Sequence, residues 1–562
     1  MVAAKRPSLV VERLGPLPLL NHLLERLGVE RLLDRFVPTN DPRSPLSHAK
    51  ALGVLLRSIL VEREPVYRQA ESVRGFCAEA FGLAQGTQVG DDRIGRALDR
   101  LFDADRATLL TELVVSLGQA FDVKFTQFHS DTTTVRLTGQ YAGAKGRSIR
   151  GKKAPWITYG YSKDHRPDLK QLLLVLTTTH DGGLPVQFRC EAGNASDSRT
   201  HEATWDALCR LAGGPDFLYV ADSKLCGGEA MDHIDRRRGR FVTVMPRSRS
   251  EDARFRQWAQ EHDVEWETVR ERPHPRRRRG PRDIWRVWRS DLPSREGWPI
   301  VWVHSNLLAL KQAARREENL ARAKQDLARL VRYLKTHRPR AAHRLRGRVD
   351  RILERRRVTR YLIVKVAQKP EHEFRQEKAG RPGPQTRYRR ITRRRWEISW
   401  NVDEAKVAYD RKTDGMYPLL TNDRTLSAPQ VLLAHKGQPT IERRFQQMKS
   451  VHEIAPVFLK NEGRIEALFF LYAVALLVQA LLEREIRAAM KREGVESLPL
   501  YPEERRCRRP TAEQVMRLFA QVARHAVERA DGSRETFEPE LSDLQTQVLR
   551  LLGVPQDRYD RS

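Results

Sequence analysis

The stretch "FTQFHSDTTTV", residues 125–135, interrupts a long series of helical repeats with aromatic and β-branched residues and carries one carboxylate, Asp131. Such residues favour a pleated, half-buried surface, so the period changes here from helix to strand. From Val123 onward the runs "VKFTQF", "LKQLLLVLTTT", "LPVQFRC", "DFLYVADS" and "RFVTVMP" read as five strands. Between the third and fourth, "SRTHEATWDALCRLAG" reads as a helix with Ser198 or Thr200 as its cap. Another helix around "GEAMDHIDRRR" separates the fourth strand from the fifth. "THDGGLP" supplies a glycine-rich turn between the second and third strands. Three strands, helix, strand, helix, strand describe a meander followed by crossover units, which implies an α/β core: a mixed sheet with helices against it.

Outward from this core the chain divides. Residues 1–120 read as a helical N-terminal domain, because "LPLLNHLLERLGVERLLDRF", "SHAKALGVLLRSILVE" and "IGRALDRLFDADRATLLTELVVSLGQAF" repeat apolar residues at three and four. It serves either to read a DNA end or to brace its neighbour. Residues 121–248 form the first part of the core and 249–400 an inserted β-rich and α-helical region. That insertion contains "PHPRRRRGPR", the tryptophans Trp285, Trp288, Trp298 and Trp302, a long charged helix and "RPGPQTRYRRITRRRW". Most of those tryptophans are expected to pack in the inserted strands. Residues 401–490 return to the core, and 491–562 form a C-terminal helical segment for dimerisation or DNA contact.

The chain has 562 residues with 102 Lys and Arg against 72 Asp and Glu, a net charge of +30, which points to a polyanionic partner. Five scattered cysteines give neither a zinc-knuckle spacing nor a disulfide framework and fit a reducing cytoplasm. The start lacks the features of a secretory signal. The most apolar run, "ALFFLYAVALLVQALL" from Ala467 to Leu482, is shorter than the roughly 20 residues a bilayer demands, so a buried helix and no membrane partner are expected.

Asp131 follows the first strand and Asp222 sits at the end of the fourth, and neighbouring strands would set them side by side. Adjacent carboxylates raise one another's pKa unless a cation intervenes. Mg²⁺, a hard ion taking oxygen ligands, removes that cost, and a third carboxylate from a helix would complete a two-metal site. Glu442, in "QPTIERRFQQMKS" (residues 438–450), is the candidate. Pro439 suits the first turn of a helix, and Ile441, Phe445 and Met448 make one apolar face. Arg443, Arg444 and Lys449 stand around the acid as phosphate-binding cations.

At these residues the chain resembles the bacterial insertion-sequence transposases of the DDE class, in the group with a strand-rich insertion and a Tyr-x2-Arg-x3-Glu-x6-Lys signature. "DTTTV" at Asp131, "GYSKDHRPDLKQ", "VADSK" at Asp222, "DGMYPLLTN" and "IERRFQQMKS" occur in the group's order, over roughly residues 120 to 490. Glu442 and Lys449 match the second half of the signature; its Tyr and Arg positions carry His435 and Gln438.

The resemblance implies an RNase H-like core that cuts transposon ends and joins the freed 3′-hydroxyl to target DNA. Asp131, Asp222 and Glu442 are then the catalytic residues and the ligands of Mg²⁺, for which Mn²⁺ can substitute. Lys449, Arg443, Arg444, Gln438 and His435 would face DNA, with Lys163, His165 and Arg166 of the "GYSKDHRPDLKQ" loop tracking the backbone. Gln lacks the fixed charge and fork of Arg at the signature position. The implied partners are double-stranded DNA, as terminal repeats and target, and a second copy when DNA is bound. The implied location is the bacterial nucleoid within the cytoplasm. Two alternatives stay open: a decayed or repurposed DNA-binding protein, and an RNase H-fold nuclease without strand transfer.

Overall fold

The computed structural model describes residues 8–41, 44–161, 166–196, 200–274, 279–337, 342–529, 531 and 533–560. The chain forms two compact units. The first comprises Met1–Thr243, Thr421–Asp423 and Leu433–Ser562, and the second Val244–Leu420 and Arg424–Leu432.

The sheet of the first unit holds β1 (Gln127–Leu137), β2 (Lys170–Thr179), β3 (Pro185–Glu191), β4 (Leu218–Ala221) and β5 (Arg240–Val244) in the order β3-β2-β1-β4-β5. It is mixed. β1–β2 and β2–β3 are antiparallel, whereas β1–β4 and β4–β5 are parallel. Parallel neighbours need a crossover, and α1 (Thr200–Ala212) and α2 (Gly228–Arg236) supply it before β4 and before β5. This is the element order read from the sequence, with one shift. The first strand begins at Gln127 rather than Val123 and runs on through the threonines, because Asp131–Leu137 are held in a ladder with Lys170–Leu176. Asp131 therefore lies within the strand and not after it. The β2–β3 turn uses Gly182 and Gly183 at φ 74° and 62°, a region in which a Cβ is strained. α1 begins at Thr200; the other candidate cap, Ser198, lies outside the described residues.

Six α-helices between Leu17 and Phe121 belong to this same unit among the described residues. Ser8–Arg13 precedes them as a strand, which pairs antiparallel with Ala523–Glu528, itself paired with Arg534–Phe537.

The second unit opens with α3 (Ser250–Glu261) and an antiparallel set of β6 (Glu267–Arg272), β7 (Asp283–Arg289) and β8 (Ile300–Ser305). Trp298 and Trp302 are buried as expected; Trp285 and Trp288 are half-buried. Phe255 of α3 stacks on Trp302 with ring centroids 3.6 Å apart, and Trp258 on Trp288 at 5.2 Å, so the tryptophans pin α3 to the strands. α4 (Asn306–Thr336), capped by Ser305, and α5 (Ala342–Arg356) pack through Leu320, Leu327 and Leu345 against the base of a ribbon, β9 (Leu362–Gln376) and β10 (Tyr388–Val402). β11 (Met416–Thr421) pairs with β8.

The first unit continues with α6 (Pro439–Gln446) and α7 (Glu462–Arg492); residues 491–562, read from the sequence as helical, hold the helices Ala512–Phe519 and Asp543–Leu552 and also the two strands paired behind Ser8–Arg13. α7 is the one helix among the described residues that is long and apolar enough to cross a membrane, yet 89% of its most apolar window is buried inside the protein. It is the core helix of this unit.

Candidate functional site

Alternation along β1 puts Gln127, His129 and Asp131 on one face. The parallel pairing of β1 with β4 ends at Ser130 opposite Ala221; Asp131 follows within β1, and Asp222 comes directly after the last residue of β4. Neighbouring strands run about 4.8 Å apart. Both carboxylates are half-buried. Asp131 Oδ1 accepts from the Thr132 N–H at 2.7 Å, and Asp222 Oδ1 from the Lys224 N–H at 2.9 Å. The Thr243 hydroxyl holds the Asp222 carbonyl at 2.7 Å. Below them the Tyr219 hydroxyl meets His201 Nδ1 at 3.0 Å. Its pKa is raised, first by burial, with the charges of both Asp222 and Asp131 adding to the rise. One phenol thus feels both acids.

α6 is fixed to the same face. Gln438, immediately before it, is buried, donates from Nε2 to the Ser130 carbonyl at 3.1 Å and meets His129 Nδ1 through Oε1 at 3.2 Å. Gly437 allows this approach, because a Cβ there would lie 2.3 Å from the His129 ring. Pro439 occupies the first turn, and Ile441, Phe445 and Met448 are buried as one face. The next anchor is Arg444. It donates to the Gly183 and Gly182 carbonyls at 2.9 and 2.7 Å, to Gln447 at 2.6 Å and to Glu483 of α7 at 3.0 Å. Glu442 is exposed, one helical turn beyond Gln438. A π-helical turn, Gln447–Val451, then widens the chain, and Lys449 sits half-buried within it.

Residues 9–115 match a family model described as a domain of unknown function, DUF4277. No curated protein matches the chain. Among solved structures the chain is similar to a piggyBac transposase synaptic complex with hairpin DNA, at 7% identity over 92% of this chain and 82% of that one, with a TM-score of 0.35. It is also similar to a Mos1 transposase paired-end complex with left transposon end, at 12% identity over 40% of this chain and 66% of that one, with a TM-score of 0.14. These are remote likenesses and carry no argument about the fold.

Asp131 and Asp222 thus stand on neighbouring strands or just past them, but among the described residues no three His, Cys, Asp or Glu side chains converge as a metal site. Several residues expected at DNA are turned inward. Arg444 is 2% exposed in its side chain and serves the α6–α7 junction, because Glu483 and two carbonyls offer it a complete set of acceptors. Gln438 is spent on β1. His435 is uncharged at neutral pH, its pKa pushed down to about 4 by burial and by Lys436. Arg443 stays partly exposed, 3.7 Å from Glu483. Arg166 is exposed and forked onto Asp168 at 2.8 and 2.6 Å, while Lys163 and His165 lie outside the described residues. His129, Tyr219 and Gly437 were not singled out in the sequence; the alternation that sets His129 two positions before Asp131 was the available signal.

Three buried imidazoles give a pH signature. Burial pushes His129, His435 and His452 down to about 4. Between pH 6.5 and 4 the unfolded chain takes up protons that the folded one refuses, so their stabilisation is complete above pH 6.5 and falls as the pH drops towards 4. Each imidazole accounts for up to about 3 kcal/mol. Denaturant melts at pH 7, 5.5 and 4.5 should show a falling midpoint; a flat midpoint across this range would contradict the buried, neutral imidazoles.

Proposed function

We propose that the chain is a DNA transposase of a bacterial insertion sequence with an RNase H-like core, acting at transposon ends through Asp131, Asp222 and Glu442. The observation that supports this is the pairing of Ser130 with Ala221, after which Asp131 and Asp222 follow directly on the two chains, together with the hydrogen bond from Gln438, just before α6, to the Ser130 carbonyl. Two half-buried carboxylates one strand apart suit a hard divalent cation, which lowers their mutual repulsion. Mg²⁺, or Mn²⁺ in its place, would be held by this pair, with Glu442 swinging in from its exposed position as the third ligand. Such an ion, when bound, supplies Lewis-acid activation of a phosphodiester. The residues of the chain do the rest. Gln438 anchors the start of α6 to β1, and Arg444 anchors its end to the β2–β3 turn and α7. Lys449 and Arg443, on the accessible flank, bind backbone phosphate as positive charges.

The net charge of +30 supplies sequence-independent attraction for duplex DNA. Bringing two ends together calls for a homodimer on DNA, in the nucleoid of the bacterial cytoplasm.

Labelled end DNA, a target plasmid and Mg²⁺ separate the readings. Cleavage followed by a joined product is expected. Binding without cleavage marks a decayed or repurposed DNA-binding protein, and cleavage without joining marks a nuclease; either outcome overturns the transposase assignment.

A further inference from the structure

The ribbon of β9 and β10 is far longer than its support. Its fifteen cross-strand pairs run without a register shift from Leu362 opposite Val402 to Gln376 opposite Tyr388. At about 3.3 Å per residue each strand extends close to 50 Å. Cross-strand partners share a face, so the pairing divides the ribbon cleanly into two sides. On one side the proximal residues Leu362, Val364, Val366, Ile398 and Trp400 join the core against α4 and α5. Beyond Gln368 and Trp396 the same side continues as His372, Phe374, Tyr388, Arg390, Thr392 and Arg394, with Phe374 and Tyr388 at least half exposed. An isolated two-stranded hairpin is marginal in water, and among the described residues the core against α4 and α5 stops at the proximal half.

The two sides handle charge differently. On the opposite side Lys369 pairs with Glu397 at 2.6 Å, Arg395 with Glu371 at 2.7 Å, and Arg375 and Arg393 with Glu373 at 2.7 and 3.4 Å, leaving Arg389 near the tip. On the aromatic side Arg390 and Arg394 are exposed, and neither forms an ion pair among the described residues. From Lys369 to Arg395 the arm has ten Lys or Arg and three Glu, a net +7. A second copy of the same arm would bring +7 against +7, whereas a polyanion neutralises it.

We infer that the distal half of this ribbon is a DNA-binding arm that lies in a groove of duplex DNA with its Arg390–Arg394 side inward, the guanidiniums on phosphate or base edges and Phe374 and Tyr388 against sugar and base. A B-form major groove, about 12 Å wide, admits a two-stranded ribbon. The inference rests on the reading that the chain works on DNA, and it adds a contact surface remote from the carboxylates in sequence.

The test compares two double variants of the full chain. R390A/R394A removes two charges from the aromatic side; R375A/R389A removes a facing pair near the tip of the other. Binding to a fluorescent 30-base-pair duplex is followed by anisotropy between 50 and 200 mM salt, on the order of the range where phosphate contacts dominate. R390A/R394A is expected to weaken binding about tenfold or more and to reduce the salt slope by about two, whereas R375A/R389A changes affinity by less than about threefold. Both substitute exposed positions, and near-ultraviolet circular dichroism checks that the fold is intact. Equal effects of the two variants, or none from R390A/R394A in a chain that binds duplex, overturn the arm alone. A wild-type chain that binds no duplex overturns the arm and the transposase reading together. If F374S/Y388S turns a dimer into a monomer in sedimentation and leaves duplex binding unchanged, the face joins copies of the chain and the assignment fails.

Discussion

Asp131→Asn is expected to lower end cleavage by about 10³-fold or more while leaving the affinity for end DNA within about threefold. The asymmetry follows from where the charge sits. Asn keeps a side-chain oxygen that can accept the Thr132 N–H, so the strand and its pairing with β2 survive. What is lost is the negative charge beside Asp222. Lewis-acid stabilisation is worth several kcal/mol, and each 1.36 kcal/mol is a factor of ten in rate. Asp222→Asn should do the same, and the double variant should be no worse than either, because groups that act as a unit fail together. Gel-based cleavage of labelled ends, beside anisotropy on the same DNA, reads both quantities. Undiminished cleavage by Asp131→Asn removes that residue from the site.

Arg444→Met is expected to cost about 3 to 5 kcal/mol of stability, the usual penalty for stranding one partner of a buried ion pair. Glu483 is 1% exposed and among the described residues would keep only Arg487 at 3.3 Å and Arg443 at 3.7 Å as cations. R444M/E483Q should lose less than R444M alone, since no buried charge is then left without its partner. The pH dependence checks the same pair. Burial acts to raise the Glu483 pKa, but Arg444, Arg487 and Arg443 outweigh it and the net shift is downward. A carboxylate with a lowered folded pKa stabilises fully above its ordinary range and loses that contribution as the pH falls through the folded value. The gap between wild type and R444M, read from denaturant midpoints, should therefore narrow on acidification.

The contrast between Arg443 and Arg444 shows where reading a sequence ends. The apolar spacing of Ile441, Phe445 and Met448 was sufficient to orient α6, and Pro439 to start it. Adjacent residues on a helix differ by about 100°, however, and which guanidinium turns inward depends on Glu483, a carboxylate on a helix forty residues away. Nothing local signals that partner. The same holds for Gln438: its place in the signature suggested a phosphate, whereas its amide is satisfied by Ser130 and His129 of β1.

The adjacency of the strands at Asp131 and Asp222 was legible for the opposite reason. A strand, a crossover helix and a further strand leave few topologies, and the period-two pattern with "VADS" at the strand end did the rest. The extent of β1 was less visible, since three threonines can extend a strand or form a turn, and the ladder to β2 decides it. In the second unit the tryptophans read correctly as packing, but the ribbon did not stand out. Its Arg-rich strand reads as a polar tract until the register shows which cations have acids opposite.

The pairing of Ser8–Arg13 with Ala523–Glu528 sets a schedule for the nascent chain. At about 5 to 20 residues per second on the ribosome, the early strand emerges roughly 25 to 100 s before its partner exists. Throughout that interval its edge is open to adventitious pairing. The three-stranded sheet at Ser8–Arg13 is therefore completed only after nearly the whole chain has been made.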